Sequence, residues 1–250
     1  TFRSKSIDTT GILRVKGWTT PTKTRFLAGW THTTGQQVLR VDYEPQHPLP
    51  DAARKQLQSL LAKRLKKADA IALSDYGFGI ADPDDIRAGL SRVRSNIPVT
   101  LDSRCRLTDF VKAAITSATP NEAELEALHH SKIGENIVEL ERCGEATRTQ
   151  MKLQSLLVTR GKHGMAIFQP HQRAIHIPVH GAEQAVDVTG AGDTVLAAYT
   201  LGLASGASPL EAAHIANIAG GLVVMKRGTA TVSRAELLQA IQDSTSEASL

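Results

Sequence analysis

Two kinds of hydrophobic spacing divide the chain. Thr22 to Ala28 is rich in β-favouring residues, and Gln37-Val38-Leu39-Arg40-Val41-Asp42 alternates apolar with polar positions. Both stretches predict strands with one covered and one open face, and Thr31 to Gly35 between them suits a hairpin turn. Beyond Pro50 the spacing becomes helical, with Ala53, Leu57, Leu60, Leu61, Leu65 and Ala68 on one stripe. Short apolar runs then alternate with helical stretches. Ala70–Leu73 leads into Ser74-Asp75-Tyr76-Gly77, and a helix opens near Pro83 with Ile86, Leu90 and Val93 on one face. Pro98–Leu101 ends at Asp102, a strand is expected near Ala114 to Thr116, and Leu156–Thr159 runs into Arg160-Gly161.

This alternation predicts an α/β fold whose mostly parallel sheet carries helices on both faces. Ligands in such folds bind outside the carboxyl ends of the strands. Asp75, Asp102, Asn121 and Thr159 each fall at or just past such an end. A polar residue after one strand is ordinary turn chemistry; four in register are more suggestive. The last third reads as helical. Gly190 to Ser205 is a small-residue apolar helix, Ser208-Pro209-Leu210-Glu211 and Ser233-Arg234-Ala235-Glu236 are capping boxes, and Asp243 to Leu250 reads as a frayed tail.

Composition narrows the function. The chain has 250 residues, 41% hydrophobic, which suffices for a full core, and a net charge of +4 carried by scattered basic residues. Lys63-Arg64-Leu65-Lys66-Lys67 sits on a helical pattern and reads as a solvated face; with 4% aromatics there is no stacking platform, so no nucleic-acid partner is expected. Two distant cysteines, Cys105 and Cys143, fit a reducing cytoplasmic setting rather than a disulfide framework. No apolar run approaches the roughly 18 residues of a membrane span, and no signal peptide opens the chain.

The strongest chemical signal is Asp187-Val188-Thr189-Gly190-Ala191-Gly192-Asp193-Thr194. Gly190, Ala191 and Gly192 leave backbone N–H groups open at the start of an apolar helix, where unpaired donors and the helix dipole favour an anion. Asp193 places a carboxylate beside that anion site. A plain glycine turn with an aspartate near a helix start reads the same way in isolation, so the specificity lies in the whole string.

That string resembles the second signature of the ribokinase-like (PfkB) carbohydrate kinases. Asn121 and Glu124 match the family's N-x-x-E motif, Thr159-Arg160-Gly161-Lys162-His163-Gly164 its nucleotide loop, and Ala216–Gly221 with Lys226–Thr229 the region of the base and the monovalent-cation loop. Within the family the chain is most similar to heptose-phosphate kinase domains, through Thr22–Arg25, Gln36–Glu44, Leu73–Gly77, Leu157–Gly161 and Gly228–Val232. The resemblance implies a ribokinase-like core over residues 46–250 with a partial β-lid in 1–45. It implies transfer of the γ-phosphoryl group of ATP to a sugar or sugar-phosphate hydroxyl, with ATP, Mg²⁺ and, at a further site, K⁺. Asp193 is then the catalytic base, and Gly190, Ala191 and Gly192 the anion hole. Thr159, Gly161, Gly164 and Asn217 are the nucleotide contacts, and Asn121 and Glu124 the Mg²⁺ organisers. Asp187, Thr189 and Gly228 carry the K⁺ site, and Asp75, Arg104 and Arg40 are acceptor candidates. A homodimer through the lid also follows from the resemblance.

Each assignment has a plainer counterpart. Asn121 with Glu124 is also a capping box, Thr159–Gly164 also a strand-to-hairpin turn, and Asn217 also a polar residue on a helix. Two positions depart from the heptose kinases, which tend to carry lysine where this chain has Phe78 and Arg104. The strand and glycine-rich sugar-holding segment with which family members begin is not found before Thr10, so this chain alone is expected to bind nucleotide yet phosphorylate sugars poorly. The alternative reading is a catalytically impaired nucleotide-binding protein or interaction subunit.

Overall fold

A computed structural model describes residues 2–28, 36–93, 97–181 and 185–247. A two-stranded antiparallel ribbon comes first, β1 (Thr22–Ala28) and β2 (Gln36–Tyr43). The hairpin turn expected at Thr31 to Gly35 lies outside the described residues. Then follow α1 (Asp51–Leu65), β3 (Ile71–Asp75), α2 (Pro83–Leu90), β4 (Val99–Ser103), β5 (Ser117–Ala118), α3 (Glu122–His129) and α4 (Ile137–Gln150). β6 (Ser155–Thr159), β7 (Met165–Phe168), β8 (Ile175–Ile177), α5 (Ala191–Ala204), α6 (Pro209–Val224) and α7 (Arg234–Glu247) complete the order.

The main sheet runs β3-β4-β5-β6-β7-β8, parallel from β3 to β6 and antiparallel from β6 to β8. Period-two alternation explains its position. On β6, Leu156 and Val158 pack with Phe168, Leu140 and Leu125 on one face, while Leu157 joins Met165, Ile167, Val195 and Tyr199 on the other. Both faces are therefore buried, one under α1 to α4 and the other under α5 and α6.

Three expectations need correction. The strand placed near Ala114 to Thr116 is Ser117–Ala118. Ala114 takes φ +53°, which no strand residue adopts, and the chain straightens only after it. Asp243 does not begin a frayed tail, because α7 continues to Glu247. Val93 falls beyond α2, which ends at Leu90. The capping boxes at Ser208/Glu211 and Ser233/Glu236 are formed.

The ribbon is separate from the main sheet and has two unlike faces. Its register pairs Lys23 with Asp42 and Arg25 with Arg40, and on the opposite face Thr22 with Tyr43, Thr24 with Val41 and Phe26 with Leu39. A polar seam joins α5 to the sheet. Thr200 Oγ1 lies 2.5 Å from Thr100 Oγ1, and the Tyr199 hydroxyl is 2.8 Å from Ser155 Oγ and accepts from Ser117 Oγ at 3.3 Å. These groups are buried and mutually satisfied, as buried polar atoms must be.

Candidate active site

The parallel strands deliver their carboxyl ends to one edge of the sheet, and the start of α5 meets them there. Gly190 is the N-cap of α5 at φ +81°, a left-handed turn that glycine enters without strain. It tips the helix so that its first amides open outward. Ala191 N–H is consumed by the Val188 carbonyl at 3.2 Å. The amides of Gly190, Gly192 and Asp193 have no acceptor among the described residues. Of the three amides expected to form an anion hole, Gly190 and Gly192 are open and Ala191 is engaged by the turn, while the Asp193 amide is open beside them.

In front of these amides lies a cleft of ≈ 250 Å³ that brings together Asp193, Gly190, Gly192, Asp102, Glu124, Tyr76, Arg104, Arg40 and Lys23. An apolar cleft of ≈ 440 Å³, lined by Pro21, Phe78, Ile80 and Ala81, shares Lys23, Ser74, Asp75 and Tyr76 with it. Phe78 thus belongs to an apolar wall. The basic side chains come from two directions. Lys23 and Arg40 reach in from the ribbon's charged face, and Arg104 from the segment after β4. Arg40 is partly engaged, because Asp42 on the same strand accepts from its Nε at 2.8 Å and its Nη2 at 3.0 Å. Arg104 makes no side-chain hydrogen bond to the described residues, and its charge is felt at Glu124.

Carboxylates crowd the inner wall. Burial pushes Asp102 up to about 7, and the negative charges of Glu124, Asp193 and Asp75 add to the effect. Glu124 is also raised, mainly by burial. Asp102 was legible as a strand-end residue, but nothing in the sequence marked it as part of this cluster. Tyr76 closes the cleft by donating its hydroxyl to Asp193, 3.0 Å from Oδ1 and 3.1 Å from Oδ2.

The acceptor candidate Asp75 also lines this cleft, but its carboxylate is turned to internal partners. It is 4% exposed and accepts from Arg106 Nη2 and Nε, Ser103 Oγ and the Gly77 amide. These four bonds make it an internal anchor of the cleft wall. Arg106, its partner, was not singled out from the sequence.

Asn121 and Glu124 form the reciprocal capping box of α3, with both bonds at 2.9 Å. That box uses one oxygen of each side chain and leaves Glu124 facing the cleft. Asn121 also bridges Thr159, whose amide donates to the Pro120 carbonyl. Past Thr159 the chain turns through Gly161–His163 into antiparallel β7, so the expected hairpin turn is present. Gly164 takes φ +74°, and a Cβ there would sit 2.1 Å from the Ile177 carbonyl oxygen. Arg160, 8% exposed, pairs with Glu122 at 2.7 Å and ties this loop to α3. Asn217 is buried, and its side-chain amide donates to the Pro178 carbonyl at 2.8 Å. It therefore ties α6 to the end of β8 through one of its two N–H donors.

Asp187 clasps two loops, accepting from the Thr189 amide through Oδ1 and from the Gly228 amide through Oδ2, both at 2.9 Å. The three residues of the expected K⁺ site are thus together. The Asp187 carboxylate is committed to the clasp, and backbone carbonyls remain as the donors for a cation. Among the described residues no group of three or more His, Cys, Asp or Glu has metal-ligating geometry. A hydrated cation such as Mg²⁺, which keeps several waters, fits the Asp102–Glu124 wall better than a dehydrated one. Among the described residues no helix is long and apolar enough to cross a membrane.

Residues 3–236 match the model of the pfkB family carbohydrate kinases. The bifunctional protein HldE of Trichlorobacter lovleyi is 36% identical over 242 residues, covering 96% of this chain and 48% of that protein. HldE of Pasteurella multocida is 41% identical over 209 residues, covering 82% and 42%. The chain spans about half the length of the curated relatives it matches. Among solved structures, ribokinase from Giardia lamblia superposes with a TM-score of 0.73 at 18% identity, covering 97% of this chain and 77% of that one. Phosphofructokinase-2 from Escherichia coli in complex with potassium gives 0.67 at 20% identity, covering 82% and 67%. The fold is ribokinase-like, and the chain belongs to the pfkB family of carbohydrate kinases.

Proposed function

We propose that this chain carries the phosphoryl-transfer site of a kinase that passes the γ-phosphoryl group of ATP to a hydroxyl of a sugar phosphate of the heptose phosphate class, with slow transfer by this chain alone. The observation that carries the reading is Asp193, a carboxylate beside the open amides of Gly190, Gly192 and its own backbone, inside a cleft rimmed by Arg104, Arg40 and Lys23. Asp193 accepts the proton of the attacking hydroxyl, a contribution typically worth about 10²–10⁴-fold. The open amides receive the charge of the transferring group, where fixed dipoles need no reorganisation. Positioning and electrostatics carry most of phosphoryl transfer, and the cleft supplies both.

The basic rim is suited to the acceptor's own phosphate. Arg104 offers a planar fork and Lys23 a point charge. The loop from Thr159 to Gly164 bears the nucleotide. Glu124, Asn121 and Asp102 would hold Mg²⁺, which when bound would neutralise charge on the ATP phosphates. The carbonyls around Asp187, Thr189 and Gly228 suit K⁺. The ribbon's outward face, with Phe26, Leu39 and Tyr43 half exposed or more, suits a second copy of the chain. We place the protein in the cytoplasm, where ATP and sugar phosphates occur.

The test is Asp193→Asn. Calorimetry is expected to give ATP·Mg affinity close to wild type, while phosphoryl transfer to heptose 7-phosphate falls by at least about 10²-fold. Equal turnover by the variant would remove Asp193 as the base. Nucleotide binding without transfer to any sugar phosphate by the wild type would favour a nucleotide-binding subunit instead.

A further inference from the structure

The Asp193 carboxylate is exposed at the start of α5, and an exposed carboxylate rotates unless something holds it. Among the described residues its only hydrogen bond is with Tyr76, whose hydroxyl lies nearly equidistant from both oxygens at 3.0 and 3.1 Å. A donor shared by both oxygens pins the head of the carboxylate at one point and so holds the side chain in one direction. It also leaves lone pairs over, because an ionised carboxylate offers about four acceptor sites.

Tyr76 is itself held on both sides. The preceding residue is the locked Asp75, and the following Gly77 donates its amide to Asp75 Oδ1 at 3.0 Å. Over the ring sits the Lys23 ammonium, 5.8 Å from the centroid, within the range of a cation–π contact. Lys23 belongs to β1, so a continuous path runs from the ribbon through the Tyr76 ring to Asp193. Burial, with the Asp193 charge next, pushes the phenol up to about 12, so it remains a donor at neutral pH.

We propose that Tyr76 is a positioning residue for Asp193 and that it links the placement of the β1–β2 ribbon to the orientation of the base. The inference rests on the kinase reading above. During transfer the acceptor hydroxyl's proton passes to an Asp193 oxygen as the new O–P bond forms and the bond to the ADP leaving oxygen breaks. Tyr76 keeps its own proton throughout. When the ribbon lies over the cleft, Lys23 keeps the ring in place and the carboxylate head is held at one point facing the cleft.

The experiment has two arms. The chain contains three tyrosines, so [ζ-¹³C]tyrosine labelling gives three resonances, assignable with single Phe variants. The Tyr76 resonance is expected to be displaced from that of the exposed Tyr43. The displacement should be lost in Asp193→Ala and reduced in Lys23→Met. A Tyr76 resonance unchanged by Asp193→Ala overturns the proposal. In the second arm, ATP and heptose 7-phosphate are the substrates. Tyr76→Phe is expected to lower kcat about tenfold, the scale of one charge-assisted hydrogen bond, with KM for ATP unchanged. It should cause no further loss in an Asp193→Asn background. A kcat equal to wild type, or a fully additive loss, overturns it. No transfer by the wild type, with the resonance displaced as expected, removes the kinase reading and the role with it. Transfer without the displacement removes the positioning role alone.

Discussion

Arg106 grips Asp75 with two nitrogens, Nη2 to Oδ1 at 2.8 Å and Nε to Oδ2 at 3.2 Å. The carboxylate is buried, and the guanidinium also donates to the Ala81 carbonyl at 3.0 Å. Removing one partner of such a pair strands a buried charge, which costs about 3–5 kcal/mol. Arg106→Met is therefore expected to lower the urea midpoint strongly. Arg104→Met, two residues earlier, should leave stability nearly unchanged and weaken sugar-phosphate binding. Equal effects of the two on stability would contradict the assignment.

Glu124 serves the α3 cap and faces the cleft, and one substitution separates the two roles. Glu124→Gln keeps an oxygen for the Asn121 amide, so the loss of stability should stay below about 1 kcal/mol. Its loss of charge should raise the Mg²⁺ concentration needed for half-maximal ATP binding. Asn121→Ala, which breaks the cap, should cost about 0.5–2 kcal/mol. Titrating Mg²⁺ against each variant by calorimetry, alongside thermal melts, checks both.

Asp102 gives a signed pH effect. Its carboxyl titrates at 3.8 unperturbed and at about 7 in the fold, so the folded state holds a proton that the unfolded state has released. Between these values stability falls as pH rises, and above about 7 the penalty is complete. Asp102→Asn has no charge to bury. In metal-free buffer the variant should gain on the wild type from pH 4 to pH 7, with a constant advantage beyond. Urea melts at several pH values measure it, and parallel curves would show that Asp102 is not desolvated.

Gly164 is the tightest point of the loop from Thr159 to Gly164. A Cβ would lie 2.1 Å from the Ile177 carbonyl oxygen and 2.6 Å from the Val179 nitrogen, both backbone atoms that cannot step aside. Gly164→Ala should destabilise the protein by more than about 1 kcal/mol, because the positive φ adds to the clash. ATP affinity should drop as the β6–β7 turn opens. Gly161→Ala, where nothing lies within 4 Å, should cost less. Thermal melts and calorimetry on both variants distinguish space from strain.

Local rules wrote much of this fold plainly. Short apolar runs located β3, β4 and β6, and the caps at Asn121, Ser208 and Ser233 lie where their side chains reach an amide three residues on. β5 was misplaced because two residues carry too little pattern to outweigh the turn at Ala114. The eight-residue string around Asp193 marked the site because glycine spacing is local chemistry. Tyr76 and Arg106 were invisible as functional residues because their partners lie 117 and 31 positions away. No local signal links Asp102 to Glu124 either; only the convergence of strand ends does.

The seam of Thr200 on Thr100 and Tyr199 on Ser155 has a consequence at the far end of α5. The face of this helix is otherwise small and greasy, and such faces can turn or slide against a sheet at little cost. Each residue of an α-helix advances about 100° around its axis, so a one-residue slip would swing Asp193 well away from Tyr76. Hydroxyl pairs resist such a slip, because it would part Thr200 from Thr100 and the Tyr199 hydroxyl from Ser155 and Ser117 in a buried seam. The seam therefore acts as a key in a shaft. It sits roughly 9 Å from the base along the axis and sets the angle at which that base faces the cleft.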